Sequence, residues 1–456
     1  MKRILIFIAF LFFMSVADAQ DTLSFSLEEA IQYALDNNYT VKNSATDIEI
    51  AKKRIWETTA IGLPQVSIDA QYTNIFKVPV VSFPTSTLIN DIPADAVVTS
   101  DAISQGLSIG YTDGTPIALG VKENITANLV VSQLIFSSDY IVGLQAARTF
   151  KLVSEQSLVK SEIEIKQLVN DSYHLVLVLS ESRIIVDEIL ANIVQTESEI
   201  TEMFKAGFME ETDVDQIKLT RITLENSATT LDRQIEVAIK LLKFQMGMDL
   251  NNNIILTENL NYLIANIDAE SLLVQQFILG ENIDYQLIST REKLNEQSLK
   301  LEQYRFLPSI AGFYQHQERA NKPDFDFMTP DMIGVSLQLP LFTSGGRLAK
   351  INQAKLNLEK IRTNKEQVVQ GLALDLAQSR TEFLNALDTY NRQTQNVDIS
   401  KRIYDHTLIK YREGIVSSLE LQTANNQYLQ AQQSYFQDML QLLTAKTKLN
   451  KILNTL

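Results

Sequence analysis

Residues 63–72 read LPQVSIDAQY, and this short stretch sets the fold of the region around it. After the proline at position 64, polar and apolar residues alternate without interruption from Gln65 to Tyr72. Strict alternation over this length predicts a β-strand with one apolar face and one polar face. Residues 124–129 (NITANL) alternate in the same way. We therefore predict a strand pair at about residues 64–78 and 121–136.

The same arrangement occurs a second time in the chain. Leu63-Pro64 aligns with Leu307-Pro308 at an offset of 244 residues, and residues 204–207 (FKAG) align with residues 411–414 (YREG) at an offset of 207. A repeated order of elements predicts an internally duplicated chain. We assign the first repeat to residues 20–250 and the second to residues 251–456. The second strand pair is predicted at about residues 308–318 and 332–342.

The strand pattern by itself leaves two kinds of sheet open. Strands of roughly ten residues with alternating faces are typical of outer membrane proteins. A small antiparallel sheet on a soluble helical protein has the same alternation, because it also covers one face and exposes the other. Residues 309–314 (SIAGFY) alternate poorly, so the sequence does not assign their facing.

The placement of proline predicts long helices between the strand pairs. Every proline lies at residues 64–116 or 308–340, so residues 139–204 and 345–411 contain none. In these segments apolar residues recur at spacings of three, four or seven, which is typical of coiled coils. A helix of this size is roughly 100 Å long at a rise of 1.5 Å per residue. Gly207 and Gly414 then predict turns, giving long helical hairpins at about residues 139–246 and 345–453 and a mainly α fold class.

The first residues predict export from the cytoplasm. Lys2 and Arg3 precede an apolar run over residues 4–13, and residues 17–19 (ADA) form a small-x-small cleavage site. We therefore predict a signal peptide at residues 1–19. The apolar run is too short for a membrane anchor, which needs about 20 residues. No later segment is both that long and that apolar, so the sequence would require strands for any passage through a membrane.

The composition excludes several classes of function. The net charge of −15 argues against a nucleic-acid partner, and the absence of cysteine excludes both disulfides and a lipid-anchored N-terminal cysteine. His174, His316 and His406 have no second ligand at metal spacing. Neither a Gly-rich phosphate loop nor a nucleophile elbow occurs. We predict that the protein is not an enzyme and has no cofactor or metal site.

Taken in order, these motifs resemble the TolC-like outer membrane efflux protein family, the outer membrane factors. The resemblance covers the whole mature chain. Its residues are the two leucine-proline pairs, the stretch 340–347 (PLFTSGGR), the turn motifs at 204–207 and 411–414, and the stretch 417–424 (SSLELQTA). It implies a homotrimer in which each protomer gives four strands to a 12-stranded outer membrane β-barrel and its helical hairpins to a periplasmic α-barrel. Four strands cannot close a barrel alone, so such a chain requires partners.

The resemblance also implies a function and a location. The chain would be the outer membrane channel of a tripartite efflux or type I secretion system, a passive exit duct for small molecules or exported proteins. Its partners would be a periplasmic adaptor protein, an inner membrane pump and outer membrane lipid. Its location would be the outer membrane of a Gram-negative envelope, with a periplasmic portion. The alternative is a periplasmic coiled-coil scaffold or adhesin without transport activity, which has no need of a duplicated strand hairpin.

Four sets of residues follow from the proposed architecture. Polar strand positions are predicted to line the barrel lumen, whereas Val66, Ile68, Ile125 and Leu129 are predicted to meet lipid. The residues predicted to line the lumen are Gln65, Ser67, Asp69, Gln71, Asn124, Thr126 and Asn128. The residues predicted at the hairpin tips for adaptor contact are Gly207, Gly414, Tyr411 and Arg412. The acidic loop at residues 79–120 is predicted at the cell exterior.

The tip of the second hairpin is the predicted periplasmic gate. Glu420 matches one of two acidic positions that the family places there, and Thr423 stands at the other. Asp213 and Asp215 lie in the corresponding region of the first hairpin and are included in the predicted gate. A structural interpretation competes, because Ser417 and Glu420 form the pattern of a helix capping box, and Thr212 with Asp215 resembles it. Both interpretations stay open in the sequence.

Overall fold

The computed structural model describes residues 23–82, 85–86, 111–112, 117–118, 120–322, 326 and 328–456. The predicted signal peptide and most of the acidic loop lie outside the described residues. The described elements of the first half are β1 (Leu23–Phe25), α1 (Leu27–Asn37), α2 (Tyr39–Ala60), β2 (Gln65–Asn74), β3 (Val80–Val81), β4 (Thr85–Ser86), β5 (Tyr111–Thr112), β6 (Ile117–Ala118), β7 (Glu123–Phe136), α3 (Ser138–Lys205) and α4 (Glu211–Met246).

The elements of the second half have a similar order, with three helices and a 3-10 turn before the strand pair where the first half has two helices. They are β8 (Ile254–Leu256), α5 (Leu260–Ala265), α6 (Ala269–Val274), a 3-10 turn (Leu279–Glu281), α7 (Ile283–Tyr304), β9 (Ser309–Arg319), β10 (Asp331–Gln338), α8 (Gly346–Arg412) and α9 (Ser418–Ile452). The predicted mainly helical fold, with long hairpins and few strands, is confirmed. Helices α3 and α8 have 68 and 67 residues, since neither contains a proline that would interrupt the backbone hydrogen bonds.

The described residues form two compact units. One comprises residues 53–147 and 297–354, and the other comprises residues 23–52, 148–296 and 355–456. Each unit therefore takes segments from both sequence repeats. Among the described residues, no helix has the combined length and apolarity that crossing a membrane requires.

The first unit is built on a four-stranded antiparallel sheet in the order β10-β9-β7-β2. Strand β2 pairs with β7 along its whole length, from Gln65 opposite Ser132 to Asn74 opposite Glu123. Strand β7 also pairs with β9, with a register irregularity between Leu134 and Phe136. The β2 and β7 ends of the sheet continue into two short pairs, β3 with β6 and β4 with β5.

The second unit packs the long helices around several apolar cores. One core joins α3, α4, α8 and α9 through buried residues that include Ile193, Leu224, Tyr404 and Leu421. Another surrounds α1 and the parallel pair β1 and β8, where the Tyr173 hydroxyl donates to the Phe25 carbonyl at 3.0 Å. Both hairpins therefore share one core near their turns.

Candidate functional site

The two hairpin turns have the same local structure. The Gly207 N–H donates to the Phe204 carbonyl and the next N–H, from Phe208, donates to the Met203 carbonyl, each at 2.9 Å. Residues 410–415 repeat this pair of bonds at 2.9 Å. Nested bonds of this kind end a helix when the residue after it is left-handed. Gly207 and Gly414 have φ of +82° and +73° with open space around them, so backbone conformation alone selects glycine.

The helix that follows each turn is capped differently from the prediction. In α9 the Ser417 hydroxyl accepts from the Glu420 N–H at 3.3 Å, as expected. The Glu420 carboxylate, however, accepts from the Ser417 hydroxyl at 3.4 Å. In α4 the expectation that the cap involves Thr212 is wrong. The cap is Glu210, because its N–H donates to the Asp213 carboxylate at 3.3 Å and the helix therefore begins at Glu211.

The four predicted gate residues lie in two pairs, one in the first turns of each helix. Asp213 and Glu420 both occupy the third helical position, one in α4 and one in α9. Asp215, Glu420 and Thr423 are exposed, and the Thr423 hydroxyl donates to the Leu419 carbonyl at 2.8 Å. A carboxylate in the first helical turn is stabilised by the helix dipole, which supports the structural role of Asp213 and Glu420. The role of the four residues as a gate stays a prediction.

Residues next to the second turn connect the two hairpins. The Arg412 guanidinium donates to the Thr196 hydroxyl at 3.1 Å and forms an ion pair with Glu199 at 3.1 Å. Burial raises the pKa of the Tyr411 hydroxyl to about 12, and the negative charge of Asp213 adds to this shift. Tyr411 is only 1% exposed. Of the four residues predicted for adaptor contact, the two glycines lie on the surface and Tyr411 lies in the shared core.

The core beside the turns contains polar groups that sequence analysis missed. Asn425 is buried, and both of its side-chain polar atoms have no hydrogen-bond partner in the part of the chain that the structure describes. The Tyr404 and Tyr411 hydroxyls are also buried and have no hydrogen-bond partner among the described residues. Leaving one such group unpaired costs about 1–3 kcal/mol. The sequence did offer a signal for Asn425. It lies four residues after Leu421 and three before Tyr428, a spacing at which the buried face of a helix normally has an apolar residue.

In the sheet, the register groups the predicted lumen residues on one face. Ser67, Asp69 and Gln71 lie opposite Val130, Asn128 and Thr126, and directly opposed residues share a face. Asn124 belongs to the same face by its spacing of two from Thr126. Asn124 and Asn128 each have a buried side-chain oxygen without a partner among the described residues.

The opposite face of the sheet is apolar and open. Val66 and Ile68 of β2 are 65% and 73% exposed, and Ile333 and Val335 of β10 are 84% and 69% exposed. The register places the two halves of this face in one surface, because Val131 lies opposite Val66 on one side and opposite Tyr314 on the other. Tyr314 in turn lies opposite Ile333. Water-soluble proteins seldom expose a contiguous apolar surface of this extent.

The histidines do not assemble a metal site. His174 is buried in α3, and the His316 ring nitrogen lies 2.8 Å from the Asp331 carboxylate, which also accepts from the Tyr314 hydroxyl at 2.6 Å. No group of three histidine, aspartate or glutamate residues in the described ranges could hold a metal ion.

Comparison with known proteins identifies similar chains. Residues 278–455 match the family described as outer membrane efflux protein. The fold is similar to that of the outer membrane protein VceC from Vibrio cholerae, with a TM-score of 0.68 and 17% identity, over 94% of this chain and 95% of that one. It is also similar to the CmeC outer membrane channel of Campylobacter jejuni, with a TM-score of 0.69 and 16% identity, over 94% and 85%. The open-state MtrE outer membrane channel of Neisseria gonorrhoeae is similar with a TM-score of 0.68 and 15% identity, over 94% of this chain and 88% of that one. No curated protein sequence matches the chain.

Proposed function

From the match of residues 278–455 to the outer membrane efflux protein family and the similarity of the fold to outer membrane channels, we propose that this chain is one subunit of a homotrimeric exit duct. The chain is an outer membrane efflux channel protein of the Gram-negative envelope, with a periplasmic portion. In the proposed assembly three copies of the four-stranded sheet close one barrel in the outer membrane. The helical hairpins form the periplasmic tunnel, and a periplasmic adaptor and an inner membrane pump supply cargo and energy.

The exposed apolar face of the sheet carries this proposal. Its residues alternate with polar residues along β2 and β10, so one face suits lipid and the other suits water. The unpaired edges of β2 and β10 give a further reason for assembly, since unpaired strand edges in lipid leave backbone groups unsatisfied. A periplasmic scaffold or adhesin would expose this apolar surface to water without a use for it.

Two neighbouring residues of β2 provide a matched test. Ser67 and Ile68 lie on opposite faces, and Arg at either position adds the same charge and nearly the same bulk. An Arg in lipid at the bilayer centre costs about 2–4 kcal/mol, whereas an Arg in a water-filled lumen costs little. We expect Ile68→Arg to reduce the yield of trimer in the outer membrane fraction. Ser67→Arg is expected to assemble and to shift the ion selectivity of the purified channel in planar bilayers towards anions.

The outcomes separate the two candidate functions. Equal assembly of both variants would overturn the proposed facing of the sheet. A native protein that is released from membranes by salt and produces no conductance in planar bilayers would support the scaffold instead.

The periplasmic end is proposed to be closed by the contacts of Arg412. Its bonds to Thr196 and Glu199 hold the second hairpin against the first, and partly exposed pairs of this kind contribute about 1 kcal/mol each. Arg412→Gln is therefore expected to raise the fraction of time that the reconstituted channel spends in its open state. Lys410→Gln removes the same charge two residues away and serves as the control. An open fraction unchanged by Arg412→Gln would contradict this role.

A further inference from the structure

A polar cleft lies in the first unit where the sheet meets the helices. Residues 63–65, 136–139, 307–309 and 338–340 all lie at this edge, because Gln65 is opposite Ser132 and Ser309 is opposite Gln338. The cleft has a volume of about 420 Å³. The residues of the cleft that matter here are Asp139, Glu302, Arg305, Pro340, Arg347 and Lys350.

The cations of this cleft outnumber its acids. Arg305 is already paired, at 2.6 Å with Glu302 and at 3.4 Å with Asp139. Arg347 donates to the Arg305 carbonyl and lies 5.6 Å from the ring centre of Phe306, and it forms no ion pair with a carboxylate of the described residues. Lys350 has no hydrogen-bond or ion-pair partner among the residues that the structure describes. The cleft therefore has a net charge of +1, and the side chains of Arg347 and Lys350 are its two cations without a carboxylate partner among the described residues.

An exposed apolar surface adjoins these charges. Leu339 and Leu341 continue the spacing of the apolar face of β10 beyond its last paired residue, and Leu341 and Phe342 are 88% and 86% exposed. Leu307, just before the neighbouring strand β9, is also exposed, as is Leu63 before β2 on the far side of the sheet. The surface and the two cations belong to one segment, residues 339–350, so a ligand with both an acidic group and a hydrocarbon part could contact them together.

We propose that this cleft binds the headgroup phosphate of a net anionic glycerophospholipid, such as phosphatidylglycerol, in the leaflet at the helix end of the sheet. The planar fork of N–H groups on Arg347 suits phosphate oxygens, and Lys350 adds a second positive charge. The acyl chains lie along Leu341 and Phe342, continuous with the apolar face of the sheet. Free phosphate shares the headgroup chemistry but gains nothing from this apolar surface. The inference rests on the proposed function, because it requires that the apolar face meets lipid.

Lipid retention by the intact trimer tests the proposal. The detergent-purified trimer would be stripped of lipid, titrated with phosphatidylglycerol or with phosphatidylcholine, and examined by native mass spectrometry. We expect tighter binding of phosphatidylglycerol. Arg347→Gln and Lys350→Gln should each weaken that preference about fivefold, which corresponds to about 1 kcal/mol for each basic residue at an anionic lipid surface. Lys300→Gln, an exposed lysine of α7 outside the cleft, is the matched charge control.

Two further arms identify the ligand. Phe342→Ser should weaken the binding of phosphatidylglycerol, and inorganic phosphate at the same concentration should not displace the lipid. Equal binding of the two lipids, an equal effect of Lys300→Gln, or displacement by inorganic phosphate would overturn the inference. Those results leave the channel proposal intact, provided that the trimer still binds lipid and conducts. A native protein that binds no lipid at all would instead reject the proposed function.

Discussion

Two titratable groups on α3, the half-buried Asp171 and the buried His174, are predicted to have opposite effects on stability as pH changes. Burial raises the pKa of the Asp171 carboxyl to about 6, against smaller opposing effects of a hydrogen bond from Gln167 and of the Lys451 charge. Burial lowers the pKa of the His174 ring to about 4, and the charge of Lys446 adds to that shift. His174 is buried, and its Nδ1 has no hydrogen-bond partner among the residues that the structure describes. The two groups lie one helical turn apart.

The sign of each effect follows from which state binds more protons. Between pH 4 and pH 6 folded Asp171 is protonated and the unfolded residue is ionised, so its contribution to stability is lost as pH rises through this window. Between pH 4 and pH 6.5 the unfolded state binds the His174 proton and the folded state does not, so that contribution is lost as pH falls. A tenfold change in proton affinity corresponds to about 1.4 kcal/mol, and each affinity changes roughly a hundredfold on folding, so each effect amounts to about 3 kcal/mol. In the native protein the two therefore nearly cancel.

Removing either group should reveal the effect of the other on the pH dependence of stability. The free energy of unfolding would be measured by guanidinium titration in detergent, at fixed protein concentration, with circular dichroism as the signal. Relative to the native protein, Asp171→Asn should lose about 3 kcal/mol between pH 7 and pH 4, and His174→Gln should gain a similar amount. The double variant should restore the native pH dependence, which controls for every other titrating group. Parallel curves for all four proteins would refute the assignment.

Three other predictions concern the hairpin ends. Glu420→Gln should lower cation selectivity in planar bilayers at low ionic strength, because the amide keeps the contact with Ser417 and loses only the charge; unchanged selectivity would leave Glu420 as a cap. Gly414→Ala should destabilise the hairpin by about 1–2 kcal/mol in the same guanidinium titration, since its φ is +73°, whereas Gly371→Ala inside α8 should be neutral or stabilising. Asn425→Leu should raise the free energy of unfolding by about 1–2 kcal/mol, because it removes two buried unpaired polar groups, and a loss of stability would mean that these groups have partners in the assembly.

The sequence by itself determined the elements and their order. Proline is absent from α3 and α8, and its presence at residues 64 and 308 marks where helix ends and strand begins. Alternation from Gln65 onwards predicted β2 and separated its two faces, and Gly207 and Gly414 located both turns. These features could be predicted because each depends on the conformation of a few consecutive residues.

Only the tertiary structure decided which distant residues meet. Arg412 contacts Thr196 and Glu199 across more than 200 positions, and no local pattern distinguishes these residues from other polar residues on long helices. The same is true of Asp171 and His174, whose pKa shifts arise mainly from burial among the packed helices. The start of α4 at Glu211 was also decided by the tertiary structure, in which the Glu210 N–H donates to the Asp213 carboxylate. Local periodicity predicts an element and its buried side, whereas contacts between elements depend on how several helices pack together.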